Sequence, residues 1–212
     1  DDLLRVGTSA QSVLRPLELT AGLDAVFSSP IFGAGIDRQR VSAFRFSLGG
    51  VTVLAAAGGR MNGSLSAEHC SNDAQADLGF CVGKSGGELM PIWLRLRRAV
   101  CRVPPVNLDQ DLYNRRFQLR VLAAPAGLPF DDLSAVTVPV MLPRVGADVT
   151  LRFPYHAQRL HLRLLKPNRY EVIEGSHHYV FLSPFPDRIT KEVGRPAQDR
   201  LGFDRRPFLN RM

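Results

Sequence analysis

The sequence predicts an α/β protein in which helices flank a mostly parallel sheet. Segments with strand character alternate with helical segments along the chain, an order typical of parallel strands joined by crossover helices. Hydrophobic residues make up 45% of the chain and charged residues 22%, so a core can be buried and general disorder is excluded. The 212 residues are expected to form a single domain, residues 1–212, that carries an insertion.

The first part of the chain predicts a helix, a strand and a second helix. Residues 13–28 place apolar side chains at near-helical spacing and end at Ser28-Ser29-Pro30. Val41–Phe46 alternates apolar and polar residues, which is typical of a strand. The apolar run 51–57 predicts the next helix, which Gly58-Gly59 would end.

Residues 60–113 differ from the rest, because Gly, Ser, Asn and Asp cluster there. This composition predicts a cap or insertion between core elements. Regular patterning returns after it, with predicted strands at Phe117–Ala123, 136–142 and 170–173, a helix at 154–165, and a surface helix with a loose end after residue 184.

The chain carries a net charge of +7, and all but three of its 27 basic residues are arginines. A basic balance can indicate a nucleic-acid partner. Here the arginines are scattered and no basic run is interleaved with stacking aromatics, so we expect a solvated, arginine-rich surface and no nucleic-acid partner. No apolar run approaches the roughly 18 residues of a membrane-spanning helix, so no membrane span is expected.

The three cysteines contain no C-x-x-C pair, which argues against a zinc site or a thioredoxin-type motif. Cys70 and Cys81 lie 11 residues apart, and two interpretations of them stay open. In the first they form a disulfide, which would indicate an oxidising compartment, periplasmic or extracellular. In the second they are reduced and packed in the cap, which leaves a cytoplasmic location open.

The strongest functional signal is Ser47-Leu48-Gly49-Gly50, between the predicted strand and the apolar helix. A serine on a sharp strand-to-helix turn is a nucleophile elbow, which holds the hydroxyl clear of the sheet and needs small neighbours. The start of the helix would aim the N–H of Leu48 at developing negative charge. The alternative is a serine that caps the helix.

A nucleophilic serine needs a base, and the base needs an acid that orients it. Asp148 follows the predicted strand 136–142 and the pair His177-His178 follows the predicted strand 170–173, so they belong to the carboxyl edge of a parallel sheet. The chain order of serine, acid and histidine is that of α/β-hydrolases. We therefore expect Ser47, Asp148 and a histidine of this pair to meet on one rim.

Other acids and histidines are weaker candidates. Asp131-Asp132 precedes the predicted strand and would face the opposite rim. His156 and His161 lie on the predicted helix and are expected in solvent or satisfied in the core. His177 is adjacent to His178, and neighbouring residues in an extended segment point in opposite directions, so the pair is not expected to share a metal ion.

Three segments resemble the α/β-hydrolases, specifically the predicted dienelactone-hydrolase-like group related to platelet-activating-factor acetylhydrolases. The resemblance covers nearly the whole chain and extends to the cap, at His69-Cys70 and Phe80-Cys81. The group has G-F-S-L-G-G at the elbow, G-A-D followed by P-Y-H-A at the acid, and G-A-G-H-F-x-F-L at the histidine. The matching segments are Arg45-Phe46-Ser47-Leu48-Gly49-Gly50, Gly146-Ala147-Asp148 with Pro154-Tyr155-His156-Ala157, and Gly175-Ser176-His177-His178-Tyr179-Val180-Phe181-Leu182.

This resemblance implies a serine hydrolase that cleaves carboxylic esters through an acyl-enzyme, as dienelactone hydrolases and acetylhydrolases do. It implies Ser47 as the nucleophile, His178 as the general base and Asp148 as the partner of the histidine. The N–H of Leu48 would be an oxyanion donor. The implied partner is a small-molecule ester, and no metal ion or organic cofactor is implied.

Two departures from the family pattern motivate an alternative, a catalytically impaired hydrolase-like fragment or binding module. Arg45 stands where the family has glycine, two residues before the serine. The family's first strands, and with them the loop of the second oxyanion N–H, are expected to be missing, which predicts a partial α/β-hydrolase fold. The edge of the strand Val41–Phe46 would then be exposed, and association of copies through that edge is expected.

Overall fold

The computed structural model describes residues 8–85, 111–166 and 168–212 of the chain. The helices and strands of these residues are, in chain order, α1 (Thr8–Ser28), β1 (Val41–Phe46), α2 (Leu48–Ala55), β2 (Arg60–Met61), α3 (Gly63–Asn72), α4 (Leu78–Ser85), β3 (Phe117–Ala123), β4 (Phe130–Asp132), β5 (Val140–Val145), α5 (Ala157–Arg163), β6 (Asn168–Ile173), α6 (Asp187–Val193) and α7 (Arg205–Leu209).

Four of the strands form one sheet in the order β1-β3-β5-β6, and each neighbouring pair is parallel. β2 and β4 form a separate antiparallel pair. α2 packs against β1 and β3, α1 packs against α2, and α5 packs against β5. The predicted α/β class, with a parallel sheet and flanking helices, is therefore confirmed.

The elements around the predicted elbow agree closely with the sequence pattern. β1 and β3 have the predicted bounds. α2 begins at Leu48, earlier than the apolar run 51–57, because Gly49 and Gly50 form its first turn. The helix ends before Gly58, whose φ of +99° is a conformation that favours glycine.

β5 is displaced from its predicted range, because it begins at Val140 rather than at residue 136. Pro139 has no N–H for a strand ladder, and its carbonyl accepts from the N–H of Arg120 at 3.2 Å. The N–H of Val136 bonds to the carbonyl of Leu133 at 3.0 Å in a turn. Val136 is fully buried, so its apolar character reflects a packed turn and not a strand.

The helix predicted at 154–165 is shorter at both ends, since α5 begins at Ala157 and ends at Arg163. His156, directly before it, has a non-helical backbone with φ −117° and ψ −96°. Leu164, directly after it, is extended. The proline at residue 154 therefore precedes the helix instead of occupying its first turn.

The chain end after residue 184 is only partly as predicted. α6 buries none of its residues, which agrees with a surface helix. α7 is not loose, because Phe208 is buried with its ring 5.7 Å from that of Phe181. Arg205 is buried as well, and its Nε donates to Asp199 Oδ1 at 2.5 Å. The prediction of a loose end is therefore wrong for this helix.

Arg120, in the middle of β3, contradicts the expectation that the arginines form a solvated surface. Its side chain is fully buried, and its guanidinium donates to the carbonyls of Phe117 at 2.6 Å and Asn114 at 3.0 Å. Burial lowers the pKa of Arg120 to about 10, so the side chain is still charged at neutral pH. Backbone carbonyls thus accept from its two terminal nitrogens, while its buried Nε has no hydrogen-bond partner.

Two apolar clusters hold the sheet and its neighbours together. The larger one joins α2, β3 and β5 and also takes in Phe80 and Cys81 of α4. The smaller one lies where the strands end, and its buried members are Ala123, Ala124, Val145, Ile173, Val180, Phe181 and Phe208. Part of the predicted insertion thus belongs to the main core, and the smaller cluster supports the edge at which the candidate residues lie.

The described part of the predicted insertion, residues 60–85 and 111–113, contains β2, α3 and α4; the rest of the range 60–113 lies outside the described residues. Cys70 in α3 and Cys81 in α4 form a disulfide, with their Cα atoms 5.3 Å apart. The sequence leaves two interpretations of these cysteines open. The structure agrees with the first, in which they form a disulfide.

β1 lies at one edge of the sheet that the described strands form. On this strand Phe44 is 48% exposed. Association of copies through the edge stays a prediction. None of the helices in the described ranges is both long enough and apolar enough to cross a lipid bilayer.

Replacing both Cys70 and Cys81 by serine should lower the free energy of unfolding by about 3 kcal/mol, because the unfolded chain regains the entropy of a short closed loop. Urea denaturation of the oxidised wild type and the double variant measures the difference. As a control, a reductant should lower the stability of the wild type towards that of the variant and leave the variant unchanged. Equal stability of the oxidised wild type and the variant would contradict the prediction.

Candidate active site

Ser47 occupies the sharp turn between β1 and α2. Its backbone has φ +56° and ψ −125°, which an L residue rarely adopts, and its N–H donates to the carbonyl of Ala123 at 2.9 Å. Although Ser47 precedes the first residue of α2, its side chain makes no capping hydrogen bond. The alternative of a serine that caps the helix is therefore wrong.

Two glycines let the strand and the helix approach each other at this turn. A Cβ on Gly50 would lie 2.7 Å from Cβ of Pro125, closer than two carbon atoms can pack. A Cβ on Gly49 would lie 3.2 Å from both Cβ and Cδ of Arg45. The side chain of Arg45 is thus accommodated because it lies over Gly49.

His178 comes from the loop after β6, at the start of a short 3-10 helix, His178–Phe181. Its Nε2 lies 2.8 Å from Oγ of Ser47, so the hydroxyl can donate to the imidazole. The imidazole is 4% exposed, with the ring of Phe46 4.7 Å away and that of Tyr179 5.3 Å away. These aromatic rings limit the orientation of the imidazole and exclude water from most of its surface.

Asp148 comes from the loop after β5 and binds the other imidazole nitrogen. Its Oδ2 accepts from Nδ1 of His178 at 2.8 Å, which assigns the proton of the neutral imidazole to Nδ1 and leaves Nε2 free to accept. Its Oδ1 accepts from the N–H groups of Thr150 and Leu151, both at 2.8 Å. Three hydrogen bonds therefore hold the carboxylate in one orientation.

The loops that carry Asp148 and His178 are joined to each other by main-chain hydrogen bonds. The N–H of Gly146 donates to the carbonyl of Ile173 at 2.9 Å, and the N–H of Ala147 donates to that of Ser176 at 3.0 Å. A Cβ on Gly146 would lie 2.7 Å from Oε2 of Glu174, so a glycine suits this close approach. The distance between carboxylate and imidazole is thus set by the backbone.

The structure brings together Ser47, Asp148 and His178 and keeps the competing residues apart from them. His177 is half-buried and bonds through Nε2 to the carbonyl of Gln198 at 2.5 Å. Asp132 lies in β4, where its Oδ1 accepts from the N–H of Ser134 at 2.8 Å. Asp131 is exposed, and its carbonyl accepts from the guanidinium of Arg163.

The histidines of the predicted helix are both satisfied within the fold. His161 bonds through Nδ1 to Asn168 at 2.6 Å, and its ring stacks on Tyr170. His156 is buried and bonds to Asp77 at 2.8 Å. Sequence reasoning did not single out Asp77, whose surroundings form only when parts of the chain 79 residues apart pack together.

The N–H of Leu48 is the first of α2, so it has no acceptor within its own helix and faces the start of the helix beside Ser47. This position suits the oxyanion donor that the sequence predicts. A cavity of about 250 Å³ opens next to it, with both residues in its wall.

Among the described residues, no three His, Cys, Asp or Glu side chains are grouped so as to hold a metal ion. In comparisons with known proteins, no family model and no curated protein matches this chain.

The packing of the elbow makes a prediction for its two glycines. Gly50→Ala should lower the free energy of unfolding by about 1–3 kcal/mol, because the new methyl group meets Pro125 and the backbone there must shift. Gly49→Ala is the comparison, since its methyl group lies 3.2 Å from Cβ and Cδ of Arg45, a contact that a small shift relieves, and alanine favours the helix, so it should cost less stability than Gly50→Ala does. Urea denaturation compares the two variants, and equal losses would contradict this account of the turn.

Proposed function

We propose that this chain is an α/β-hydrolase that cleaves carboxylic esters with Ser47, His178 and Asp148 as its catalytic triad. The observation that carries the proposal is the continuous relay from Oγ of Ser47 through the imidazole of His178 to the carboxylate of Asp148, with both hydrogen bonds 2.8 Å long. Nucleophile, base and orienting acid in this geometry suit acyl transfer.

In the proposed reaction, Oγ of Ser47 attacks the ester carbonyl while Nε2 of His178 takes its proton. The N–H of Leu48 donates to the oxyanion of the tetrahedral intermediate. His178 then returns the proton to the departing alcohol, which leaves an acyl-enzyme on Ser47. A water molecule then attacks the acyl carbon while His178 takes its proton. The bond from the acyl carbon to Oγ of Ser47 breaks, Oγ receives that proton from His178, and the carboxylic acid is released. Throughout, Asp148 holds the tautomer of His178 and stabilises the imidazolium.

The cavity beside Ser47 supports a compact, largely apolar ester group. Most of the exposed area of its wall is apolar. The apolar members are Leu48, Val51, Phe80, Pro129 and Leu151, and the polar ones are Gln11, Ser12, Arg15, Ser47, Thr52 and Thr150. Such a wall binds hydrocarbon well and leaves a few polar side chains that can orient the ester.

A fluorophosphonate should label the wild-type protein at Ser47, because Oγ of Ser47 can attack the phosphorus while His178 takes its proton. Ser47→Ala should abolish labelling at that peptide and lower the hydrolysis of p-nitrophenyl esters by at least about 10³-fold. Ser12→Ala is the matched control, since Ser12 lines the same cavity, and it should be labelled as the wild type is. Mass spectrometry of the labelled peptide decides, and folded wild type without label at Ser47 would reject the proposal.

The second candidate is a catalytically impaired hydrolase-like module. The observation that favours it is Arg45, whose side chain packs over the first turn of α2, the helix that begins at the oxyanion donor. Under our proposal this packing is tolerated, because Gly49 makes room for the arginine.

Replacing Arg45 by glycine separates the two candidates. If the wild-type elbow is competent, Arg45→Gly should change kcat/KM for a p-nitrophenyl ester by less than about threefold, since an exposed side chain is removed. Steady-state kinetics of the two proteins at equal folded concentration is the measurement. Turnover in the glycine variant alone would show that the wild-type chain is impaired.

A further inference from the structure

Asp77 is a buried carboxylate that the proposed reaction does not use. In the sequence it lies between Cys70 and Cys81, which form the disulfide, and its side chain has no exposed surface. Its Oδ2 accepts from Nε2 of His156 at 2.8 Å and from Nε2 of His69 at 3.1 Å. Its Oδ1 accepts from the main-chain N–H of Arg152 at 3.2 Å. Three donors, one from α3 and two from the segment 152–156, thus meet at one carboxylate.

The hydrogen bonds indicate that Asp77 is ionised and His156 neutral. Nδ1 of His156 accepts from the N–H of Gly127 at 3.2 Å, which leaves the proton on Nε2, facing Asp77. Burial lowers the pKa of His156 and so favours this neutral form. Burial also raises the pKa of Asp77, but hydrogen bonds with His156, Arg152 and His69, together with the charge of His156 when it is protonated, outweigh that effect and hold the pKa below its ordinary value.

The third donor links Asp77 to the loop that carries Asp148. Asp148 takes the N–H groups of Thr150 and Leu151, and the next N–H along the chain, that of Arg152, goes to Asp77. The loop therefore lies between two carboxylates, each of which holds part of its backbone.

A close backbone contact also joins the segment that contains Asp77 to the loop that carries Asp148. Gly79, two residues after Asp77, lies against the chain just beyond Asp148. A Cβ on Gly79 would be 2.2 Å from the carbonyl oxygen of Val149 and 2.6 Å from Cα of Thr150. The segment closed by the disulfide therefore packs directly on the loop, with no side chain between them.

We propose that Asp77 is a positioning residue, which holds the backbone of the loop from Asp148 to Arg152 so that the carboxylate of Asp148 meets the imidazole of His178. The expected effect of Asp77 on catalysis rests on the proposed function. Its expected effect on the hydrogen bond between Asp148 and His178 rests on the geometry alone. Asp148 lies on a loop between β5 and α5 and needs support from outside that loop, because displacing a catalytic group by about 1 Å can cost roughly a hundredfold in rate.

The test compares Asp77→Asn with Asp73→Asn in the full chain. Asparagine has the size of aspartate but, in either orientation of its amide, leaves at least one of the donors at this position without an acceptor. Asp73 is the matched control, because it lies in the same disulfide-closed segment and loses the same charge, yet its side chain is 56% exposed and its Oδ2 is 3.8 Å from His69.

The first readout is the proton on Nδ1 of His178, which resonates far downfield in the NMR spectrum when it is bonded to a carboxylate. We expect Asp77→Asn to weaken or shift this resonance and Asp73→Asn to leave it in place. The second is ester hydrolysis, where we expect Asp77→Asn to lower kcat by roughly 10- to 100-fold, since the triad is disturbed, and Asp73→Asn to leave kcat within about twofold of the wild type.

The two readouts separate failure of this inference from failure of the proposed function. A wild type that does not hydrolyse esters, with the resonance lost in Asp77→Asn and kept in Asp73→Asn, supports the positioning role and rejects the hydrolase. An unchanged resonance in Asp77→Asn overturns the positioning role, and so does an unchanged kcat in a wild type that is active. Equal effects of the two substitutions also overturn it, since the loss would then follow from charge in the segment.

A milder variant covers the case in which Asp77→Asn does not fold. His69→Phe keeps an aromatic ring beside Tyr155, whose ring centroid is 4.6 Å from that of the histidine, and removes one of the three donors to Asp77. We expect the His178 resonance to broaden and kcat to fall. No change in either readout in folded His69→Phe would overturn the proposal.

Discussion

The candidate site depends on one constraint, the parallel arrangement of β1, β5 and β6 in the sheet. Because these strands run in one direction, their carboxyl ends lie at the same edge. The loops that follow them carry Ser47, Asp148 and His178. Side chains separated by up to 131 residues thus come within 2.8 Å of each other. An antiparallel strand at any one of the three positions would move its loop to the opposite edge.

The elbow adds a local cost that the surrounding packing offsets. A positive φ at a residue other than glycine costs on the order of 1–3 kcal/mol, and Ser47 adopts one. Its N–H is bonded to Ala123 of the neighbouring strand, and Phe46 packs against His178, so both sides of the turn are held. The hydroxyl is thereby held towards the imidazole, an orientation that a relaxed helix cap would not give.

The sequence predicts this site well because its signals are local. The alternation in β1 and the glycines after Ser47 are short-range patterns, and the order of the three candidates needs only the direction of the strands. The sequence fails where the decisive contact is distant. The apolar run ending in β5 does not reveal that Val136 packs in a turn, and the polar chain end does not reveal that Phe208 has an aromatic partner. Nothing near Asp77 in the sequence indicates His156.

The buried charge of Asp77 is better explained by a role in positioning the loop that carries Asp148 than by a contribution to the stability of the fold. A buried charge is often no more stabilising than well-packed apolar side chains of the same size, because taking a charge out of water costs several kcal/mol. Apolar residues at this place would pack against one another in many ways. A carboxylate with three fixed donors permits only one arrangement of α4, the start of α5 and the loop after β5. The accuracy with which Asp148 faces His178 therefore depends on polar contacts that stability alone would not require.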